Sequence, residues 1–327
     1  MAVYEPLIQV ATVECQVRED LCRNVNSSTK TIVFESSDSR NVENWKPYFR
    51  DLSFLGKHYL VRNLDGHKSI ARHYTVCNAM QPEIYQGYLN ALKDESDPNY
   101  KALGKEMFVT NNSNQMTFCI KNYQQPRGLS TMIHNANARF EVKGPMGFGL
   151  LPKASGVHMI FAAGTGVLCF VDLVAELARL NFGHRESLTG SINSQEKDQQ
   201  DQVQIDINSF QLHLYVSYQN RSQSVALELF EALDAYCKRK GISNFHLHVR
   251  LSQEKQNPGR WDQRFIRQEL GKHGFKKIQK VWVCGPPVMN ETFDRVLSGH
   301  EQAAAGGGSV SESDNLLGGG NVGLTPE

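Results

Sequence analysis

Residues 157–166 read VHMIFAAGTG, an apolar run that ends in Gly164-Thr165-Gly166. A short apolar run bounded by a glycine turn predicts a strand of a parallel sheet that is buried on both faces. A helical pattern at residues 167–180 follows directly. In open α/β sheets, ligands bind where strands end and helices begin, and glycines there let a diphosphate approach the backbone closely. A tight strand-to-helix turn without a ligand is the alternative interpretation.

The rest of the second half alternates in the same way. We predict strands at 212–217, 245–251 and 280–284, and helices at 225–240, 264–273 and 288–297. This alternation is typical of a parallel sheet with helices on both faces. The last strand ends in Cys284-Gly285-Pro286-Pro287, a second strand-to-helix junction, where proline suits the first helical turn. The alternative is a simple strand end, with Cys284 as a small buried hydrophobic residue.

The first half has a different rhythm, with short segments rich in β-branched and aromatic residues. We predict strands at 7–17, 31–35, 56–61, 69–77, 116–123 and 139–143, and a short helix at 128–135. Such spacing indicates a small antiparallel barrel. Polar insertions interrupt it at 40–52 and 78–115, and the second contains a helical pattern at 82–93.

The fold class predicted is therefore β followed by α/β, an antiparallel barrel and then a doubly wound parallel sheet. The boundary is expected near 151–156, which gives a first domain at 1–152 and a second at 153–300. Two segments are expected to carry no fold. Residues 183–204 are too polar to bury and are expected to form a mobile loop. The Gly-rich tail, from Ala303 within the region 301–327, is expected to be disordered.

Composition excludes several classes of protein. Lys and Arg number 35 against 34 Asp and Glu, so there is no basic excess of the kind that nucleic-acid binding needs. The seven cysteines never form a C-x-x-C pair, which argues against a zinc site and favours reduced thiols in a reducing compartment. His246 and His248 alternate on one predicted strand without a third ligand at suitable spacing, so we interpret them as structural and predict no metal.

No stretch approaches the roughly 20 apolar residues that span a bilayer. We therefore expect no transmembrane segment, and a location in the cytoplasm, at the cytosolic face of a membrane or in an organelle. The chain could equally be the soluble part of a longer protein.

Three motifs in the first half complete the pattern. Arg72-His73-Tyr74-Thr75 ends one predicted strand, Gly128-Leu129-Ser130-Thr131 opens the short helix, and Gly144-Pro145-Met146-Gly147 closes the barrel. Together with the two glycine junctions, and in this order, they resemble the ferredoxin–NADP reductase superfamily. The resemblance is greatest to its cytochrome b5 reductase and nitrate-reductase flavin-domain branch, and it covers about residues 10–297.

The resemblance implies that the barrel binds FAD. Arg72 would hold the diphosphate, Tyr74 would line the isoalloxazine ring, and Thr75 would hydrogen-bond the ring near its reactive N5. Gly128, Leu129, Ser130 and Thr131 would cradle the diphosphate at the helix start. Taken one at a time, these residues have ordinary alternatives: a surface arginine, a packed tyrosine, a strand threonine and a helix N-cap.

The resemblance also implies a nicotinamide dinucleotide on the parallel sheet. Gly164, Thr165 and Gly166 would lie by its diphosphate and nicotinamide, and Cys284, Gly285 and Pro286 would lie near the nicotinamide C4. Lys121 resembles a family lysine near the dinucleotide, although a solvated strand lysine is an equal alternative.

The choice of dinucleotide depends on Asn220 and Arg221, which follow the second strand of the sheet, where the adenine ribose should lie. Arginine there favours a 2′-phosphate, whereas Asn-Arg followed by a hydroxyl residue resembles NADH-using domains. NADH is slightly favoured. The sequence departs from the family at Cys169-Phe170, where proline is frequent.

The activity implied is hydride transfer from NADH or NADPH to FAD, followed by release of single electrons to a haem protein or another one-electron acceptor. Thr75 and Cys284 are the predicted catalytic residues. Two alternatives stay open. The chain could be the reductase module of a larger membrane haem oxidoreductase of the ferric reductase or NADPH oxidase type, or a catalytically silent scaffold that keeps the fold.

Overall fold

The computed structural model describes residues 10–36, 55–65, 70–97, 115–135, 138–189, 205–254 and 261–305, with the backbone alone for 183–189 and 299–305. The strands are β1 Ala11–Val17, β2 Arg23–Asn24, β3 Thr29–Ser36, β4 His58–Asn63, β5 Ala71–Thr75, β6 Gln115–Lys121, β7 Arg139–Met146, β8 Gly156–Ala163, β9 Phe210–Tyr218, β10 Phe245–Leu251 and β11 Ile278–Cys284. The α-helices are α1 Pro82–Lys93, α2 Leu129–His134, α3 Val171–Thr189, α4 Leu227–Lys240, α5 Gln263–His273 and α6 Pro287–Ala305. Short 3-10 helices lie at Glu19–Leu21, Asn78–Met80, Gly164–Phe170, Arg221–Gln223 and Phe275–Lys277.

Strands β1 to β7 form an antiparallel sheet that closes into a barrel. The hydrogen-bonded order runs β3-β1-β7-β4-β5, and β6 pairs with β3 on its other side. An isolated bridge between Val76, just after β5, and Phe118 of β6 completes the circuit. Inside, Phe34 meets Phe118 and Phe140 edge to face, each at 5.5 Å between ring centroids. The predicted antiparallel barrel is confirmed.

Strands β8 to β11 form a parallel sheet in the order β10-β9-β8-β11. Side chains alternate between its two faces, so Ile160 joins one core with α3 and α4, while Phe161 joins the other with α5 and α6. The doubly wound sheet is thus confirmed. Strand order reverses between β8 and β11, and this switch point is where ligands bind in open α/β sheets.

Helix α1, which belongs to the polar insertion after β5, packs on the helices of the parallel sheet rather than on the barrel. The Tyr88 hydroxyl donates to the carbonyl of Ala175 in α3 at 3.1 Å, and Arg239 of α4 donates to the carbonyl of Leu92 at 2.6 Å. Tyr88 and Leu92 are fully buried in the same core as α3 and α4. The insertion therefore connects the two sheets.

Each predicted strand overlaps a strand of the structure, and helix α1 has the predicted bounds. Strand β2 was not expected. The α-helix expected at 167–180 starts at Val171, because the two glycines of the preceding turn, Gly164 and Gly166, disfavour a regular α-helix and the chain winds as a 3-10 helix first.

The predictions of a loop at 183–204 and of a disordered tail from Ala303 are wrong in part. Helix α3 continues to Thr189, so 183–189 are not loop, because extending an existing helix costs less than starting one. Helix α6 continues through the alanines to Ala305, so the tail begins later than Ala303, in line with the high helix propensity of alanine.

Several predicted segments lie outside the described residues: 7–9, 40–52, 98–114, 190–204 and 306–327. Among the described helices, none is both long and apolar enough to cross a membrane.

Candidate functional site

The two glycine junctions lie against each other at the switch point of the parallel sheet. A Cβ on Gly166 would collide with the carbonyl oxygen of Cys284. A Cβ on Gly285 would lie 2.8 Å from the sulfur of Met289 and 3.1 Å from the Cβ of Ala163. Glycine is required at 166, where the neighbouring atoms are backbone, whereas at 285 the Met289 side chain would have to move. The ends of β8 and β11 are therefore in backbone contact at Gly166.

Three side chains form a row where the barrel meets this junction. The hydroxyl of Thr75, at the end of β5, lies 3.5 Å from the sulfur of Cys169, in the turn after β8. That sulfur lies 3.7 Å from the sulfur of Cys284, at the end of β11. The structure thus brings together both predicted catalytic residues, Thr75 and Cys284, through a third residue that lies between them.

The pKa values of the two thiols in the row are shifted in opposite directions. The contact with Cys284 and, less strongly, the Thr75 hydroxyl outweigh burial and lower the pKa of Cys169 to about 7. The same thiol–thiol contact, together with burial, raises the pKa of Cys284. Because Cys169 lies between two groups that can donate, a negative charge in this pair is better stabilised on Cys169 than on Cys284.

The remaining flavin-motif residues of β5 lie beside the row. Arg72 and Tyr74 share one face of the strand, since side chains alternate along it. Arg72 is exposed and donates to the carbonyl of Ala71 at 3.0 Å. Tyr74 is half-buried against the barrel core, and burial raises the pKa of its hydroxyl.

The motif at 128–131 begins α2, as expected, and its hydroxyls hold the loop after β6. Gly128 is the N-terminal cap, and Leu129 is buried in the barrel core. Ser130 Oγ accepts from the backbone N–H of Tyr123 at 3.4 Å, and Thr131 donates to Asn122 at 3.0 Å. The Lys121 ammonium, at the end of β6, lies 5.8 Å from the centre of the Tyr123 ring. These residues contact one another and not the cysteine row.

The residues predicted at the adenine ribose follow β9. Asn220 caps a short 3-10 helix through its side-chain oxygen, 3.1 Å from the N–H of Gln223. Arg221 forms a bidentate ion pair with Glu231 of α4, with distances of 2.6 and 2.8 Å. The Arg221 guanidinium is therefore paired with a carboxylate rather than free.

The sequence patterns did not single out two residues that build this site. Cys169 was noted only as a departure from the family, although a cysteine five residues after Gly164 is a visible signal. Asp172, in the first turn of α3, accepts hydrogen bonds from the backbone N–H groups of Ala79 at 2.9 Å and Asn78 at 3.1 Å. Burial raises the pKa of this carboxyl to about 6. No sequence motif identifies it.

Known proteins were compared in three ways. No family model matches the chain, and no curated protein matches it either. Among solved structures, the CS and b5R domains of human Ncb5or, in the NAD+ form, align with a TM-score of 0.56 at 16% identity, over 89% of this chain and 67% of that one.

Two further structures are similar over nearly their whole length. The cytochrome b5 reductase domain of Ulva prolifera nitrate reductase has a TM-score of 0.51 at 13% identity, over 89% of this chain and 94% of that one. Ferredoxin-NADP+ reductase from Plasmodium falciparum has a TM-score of 0.52 at 13% identity, over 90% and 94%. The chain therefore has the ferredoxin–NADP+ reductase fold, as its motifs predict.

Proposed function

We propose that this protein is a flavin reductase, which takes a hydride from NADH or NADPH onto a bound FAD and passes electrons singly to an acceptor. The observation that carries the proposal is the row formed by Thr75, Cys169 and Cys284. It joins the end of a barrel strand to the switch point of the parallel sheet, so that groups held by the two sheets would meet there.

The barrel has residues that fit FAD. The exposed Arg72 guanidinium donates, within the described part of the chain, only to the carbonyl of Ala71. Its other N–H groups are available for a diphosphate, which a planar guanidinium binds with two parallel hydrogen bonds. Tyr74 offers a ring on the same strand face, and Thr75 offers a hydroxyl at the edge nearest the parallel sheet. Lys121 and residues 128–131 complete the proposed cofactor-binding set.

The switch point fits a dinucleotide. Gly164 has φ +56°, and nothing lies within 4 Å of where its Cβ would be, so a ligand can approach the backbone there. Thr165 and Gly166 continue this surface, and Cys284, Gly285 and Pro286 form its other wall. Cys284 would position the nicotinamide, and Thr75 would donate a hydrogen bond on the flavin side. When bound, nicotinamide supplies the hydride and flavin converts it into single electrons.

The ribose end favours NADH. The Glu231 carboxylate occupies the Arg221 guanidinium, and a second anion at this place would be repelled by Glu231. Asn220 would bind the ribose hydroxyls. This reasoning extends the slight preference for NADH that the sequence suggests.

The acceptor that we propose is a haem protein or another one-electron acceptor. Support comes from the two neighbours of known structure whose names include cytochrome b5 reductase domains.

An absorbance spectrum tests the function. We expect the purified protein, as isolated or after incubation with FAD, to show flavin bands that bleach on anaerobic addition of NADH, and more slowly with NADPH. Arg72→Ala should lower the FAD content, whereas Arg23→Ala, an exposed barrel arginine that also donates only to backbone carbonyls among the described residues, should not. A protein that stays colourless after incubation with FAD would overturn the proposal in favour of a scaffold.

A further inference from the structure

The sulfurs of Cys169 and Cys284 are in direct contact where the two glycine junctions meet. Their sulfurs are 3.7 Å apart, which is van der Waals contact, and both residues retain some solvent exposure, unlike Cys77 and Cys119. Each also lies beside Thr75 or the glycine junction, and neither belongs to a buried core interior. Two thiols in this position are poised to react with each other.

The backbone around them favours a covalent link. Cys169 follows Gly166 by one turn, and the Gly166 backbone already contacts the carbonyl of Cys284. A disulfide has sulfurs about 2.05 Å apart, so the pair must close by about 1.7 Å from the observed 3.7 Å. If both side chains rotate, each sulfur has to move only part of that distance. Because both residues flank the same parallel sheet, the barrel does not have to move.

The pair also has the required division of roles. The thiolate is the form of cysteine that attacks a peroxide or a disulfide. Cys169 lies between Thr75 and Cys284, so a thiolate on Cys169 can accept a hydrogen bond from each, whereas Cys284 contacts Cys169 at the end of the row. One cysteine is thus suited to be oxidised first and the other to resolve the product.

We propose that Cys169 and Cys284 form a reversible disulfide when the protein meets a peroxide, and that this disulfide switches off the dinucleotide site. The Cys169 thiolate attacks a peroxide oxygen, the O–O bond breaks, and the leaving hydroxide takes a proton to become water. Cys284 then attacks the sulfenic sulfur. The S–S bond forms, the S–O bond breaks, and hydroxide leaves with the thiol proton as water. The two sulfurs together lose two electrons, and the peroxide gains them. A dithiol reductant reverses the reaction.

Neighbouring cysteines provide an internal comparison. The Cys77 thiol donates to the carbonyls of Thr75 and Leu168, both at 3.4 Å, and burial raises its pKa. Cys119 is buried, and its pKa is raised for the same reason. Both are therefore protonated and shielded. We expect them to stay reduced under conditions that oxidise the Cys169–Cys284 pair.

The effect on turnover depends on the proposed function. The disulfide would draw the Cys284 side chain toward the turn after β8, away from its position at the nicotinamide. Since a displacement of about 1 Å at a reacting centre costs roughly 100-fold in rate, we expect at least about a tenfold loss of NADH-driven flavin reduction. Dithiothreitol should restore it.

Peptide mapping tests the disulfide without any cofactor. Trypsin cleaves after lysine and arginine, so Cys169 lies in peptide 154–179 and Cys284 in peptide 281–295, each with no other cysteine. The full chain is treated with equimolar hydrogen peroxide, its free thiols are alkylated, and the digest is analysed by mass spectrometry. We expect a 154–179/281–295 cross-link that disappears with dithiothreitol. It should be absent from Cys169→Ser and Cys284→Ser and retained in Cys22→Ser, a half-buried cysteine of the barrel.

The outcomes separate the two proposals. Independent alkylation of Cys169 and Cys284, or a cross-link that instead involves peptide 73–93 or 106–121, which carry Cys77 and Cys119, overturns the disulfide. A cross-linked protein that reduces flavin at an unchanged rate overturns the switch. Failure of the reduced protein to bind FAD overturns the proposed function, while the peptide map still decides the disulfide.

Discussion

Replacing Gly166 with alanine should destabilise the parallel sheet, because the new methyl group has no room. Its carbon would lie 2.7 Å from the carbonyl carbon of Cys284 and 3.1 Å from the backbone nitrogen of Gly285. Ordinary carbon contacts are about 3.5–4.0 Å, so the turn and the strand end must separate by roughly 0.8 Å or more. Both partners are backbone atoms and cannot rotate aside. Overpacking of this kind costs about 1–3 kcal/mol.

Alanine substitutions at two other glycines serve as comparisons for the destabilisation expected at Gly166. At Gly271 in α5 an added Cβ meets nothing within 4 Å, so Gly271→Ala should stabilise the helix by about 0.5–1 kcal/mol. At Gly164 the space is also open but φ is +56°, so Gly164→Ala should cost about 1–2 kcal/mol from the left-handed backbone alone.

Urea unfolding followed by tryptophan fluorescence provides the measurement. Trp282 lies on β11, and Trp261 contacts Phe161 of β8 at 5.7 Å between ring centroids, so both report on the parallel sheet. We expect Gly271→Ala to be the most stable protein, followed by the wild type, with the other two variants below it. A Gly166→Ala protein within about 0.5 kcal/mol of the wild type would refute the argument that the two junctions touch.

Three other predictions concern pH, the connection between the sheets and the choice of dinucleotide. Burial and three neighbouring histidines lower the pKa of His213 to about 3, and neither ring nitrogen has a hydrogen-bond partner among the described residues, so the folded protein resists protonation there. Protonation of His213 alone should therefore lower stability as pH drops below about 6.5, by about 2 kcal/mol or about 4–8 °C in Tm at pH 5; His213→Phe should remove this part of the loss in a thermal melt, while the part from His158, whose pKa burial lowers to about 4, should remain. Asp172→Ala should leave the N–H groups of Ala79 and Asn78 without their acceptor and cost about 1–3 kcal/mol, measured against Asp294→Ala at an exposed position of α6. Glu231→Gln should free the nearby guanidinium and raise the NADPH-to-NADH ratio of kcat/KM about three- to tenfold, in line with about 1 kcal/mol of like-charge repulsion; an unchanged ratio would remove the charge argument for NADH.

The parts of the fold that follow from local pattern could be predicted. Strand β10 and helix α1 have the expected bounds, because their apolar periodicities are bounded by clear turn or proline signals. The two glycine junctions were each expected at a strand-to-helix transition, and the structure places both there.

What the sequence could not reveal depends on contacts between distant segments. Helix α1 has a buried face, yet nothing in its pattern says that this face packs on α3 and α4 rather than on the barrel. Asp172 is one carboxylate among many until its N–H donors, 93 and 94 residues away in the chain, are known. Cys169 could not be recognised as part of the site, because its contact with Cys284, 115 residues away, is visible only in the structure.

The connection through α1 also explains why the distances in the row of Thr75, Cys169 and Cys284 can be well defined. Domains joined by small polar interfaces are expected to move relative to one another. Here the residues that follow Thr75 are fixed at once to the parallel-sheet side. The Cys77 thiol bonds the carbonyl of Leu168, and the next two N–H groups bond Asp172. Thr75 and Cys169 are therefore held by hydrogen bonds one to four residues away on both sides of their contact.

In this arrangement, different segments provide the functional groups of the barrel and fix their distance from the parallel sheet. The residues of β5 supply the groups that the barrel presents, whereas the insertion that follows sets how far those groups stand from the sheet. Loss of the Asp172 anchor should therefore loosen the distance between Thr75 and Cys169 without altering the distance between Cys169 and Cys284, since the latter pair is fixed within one sheet by the Gly166–Cys284 backbone contact. In Asp172→Ala the disulfide should still form, while hydride transfer between groups bound on the two sheets should slow. Equal loss of both would show that the row depends on one shared framework.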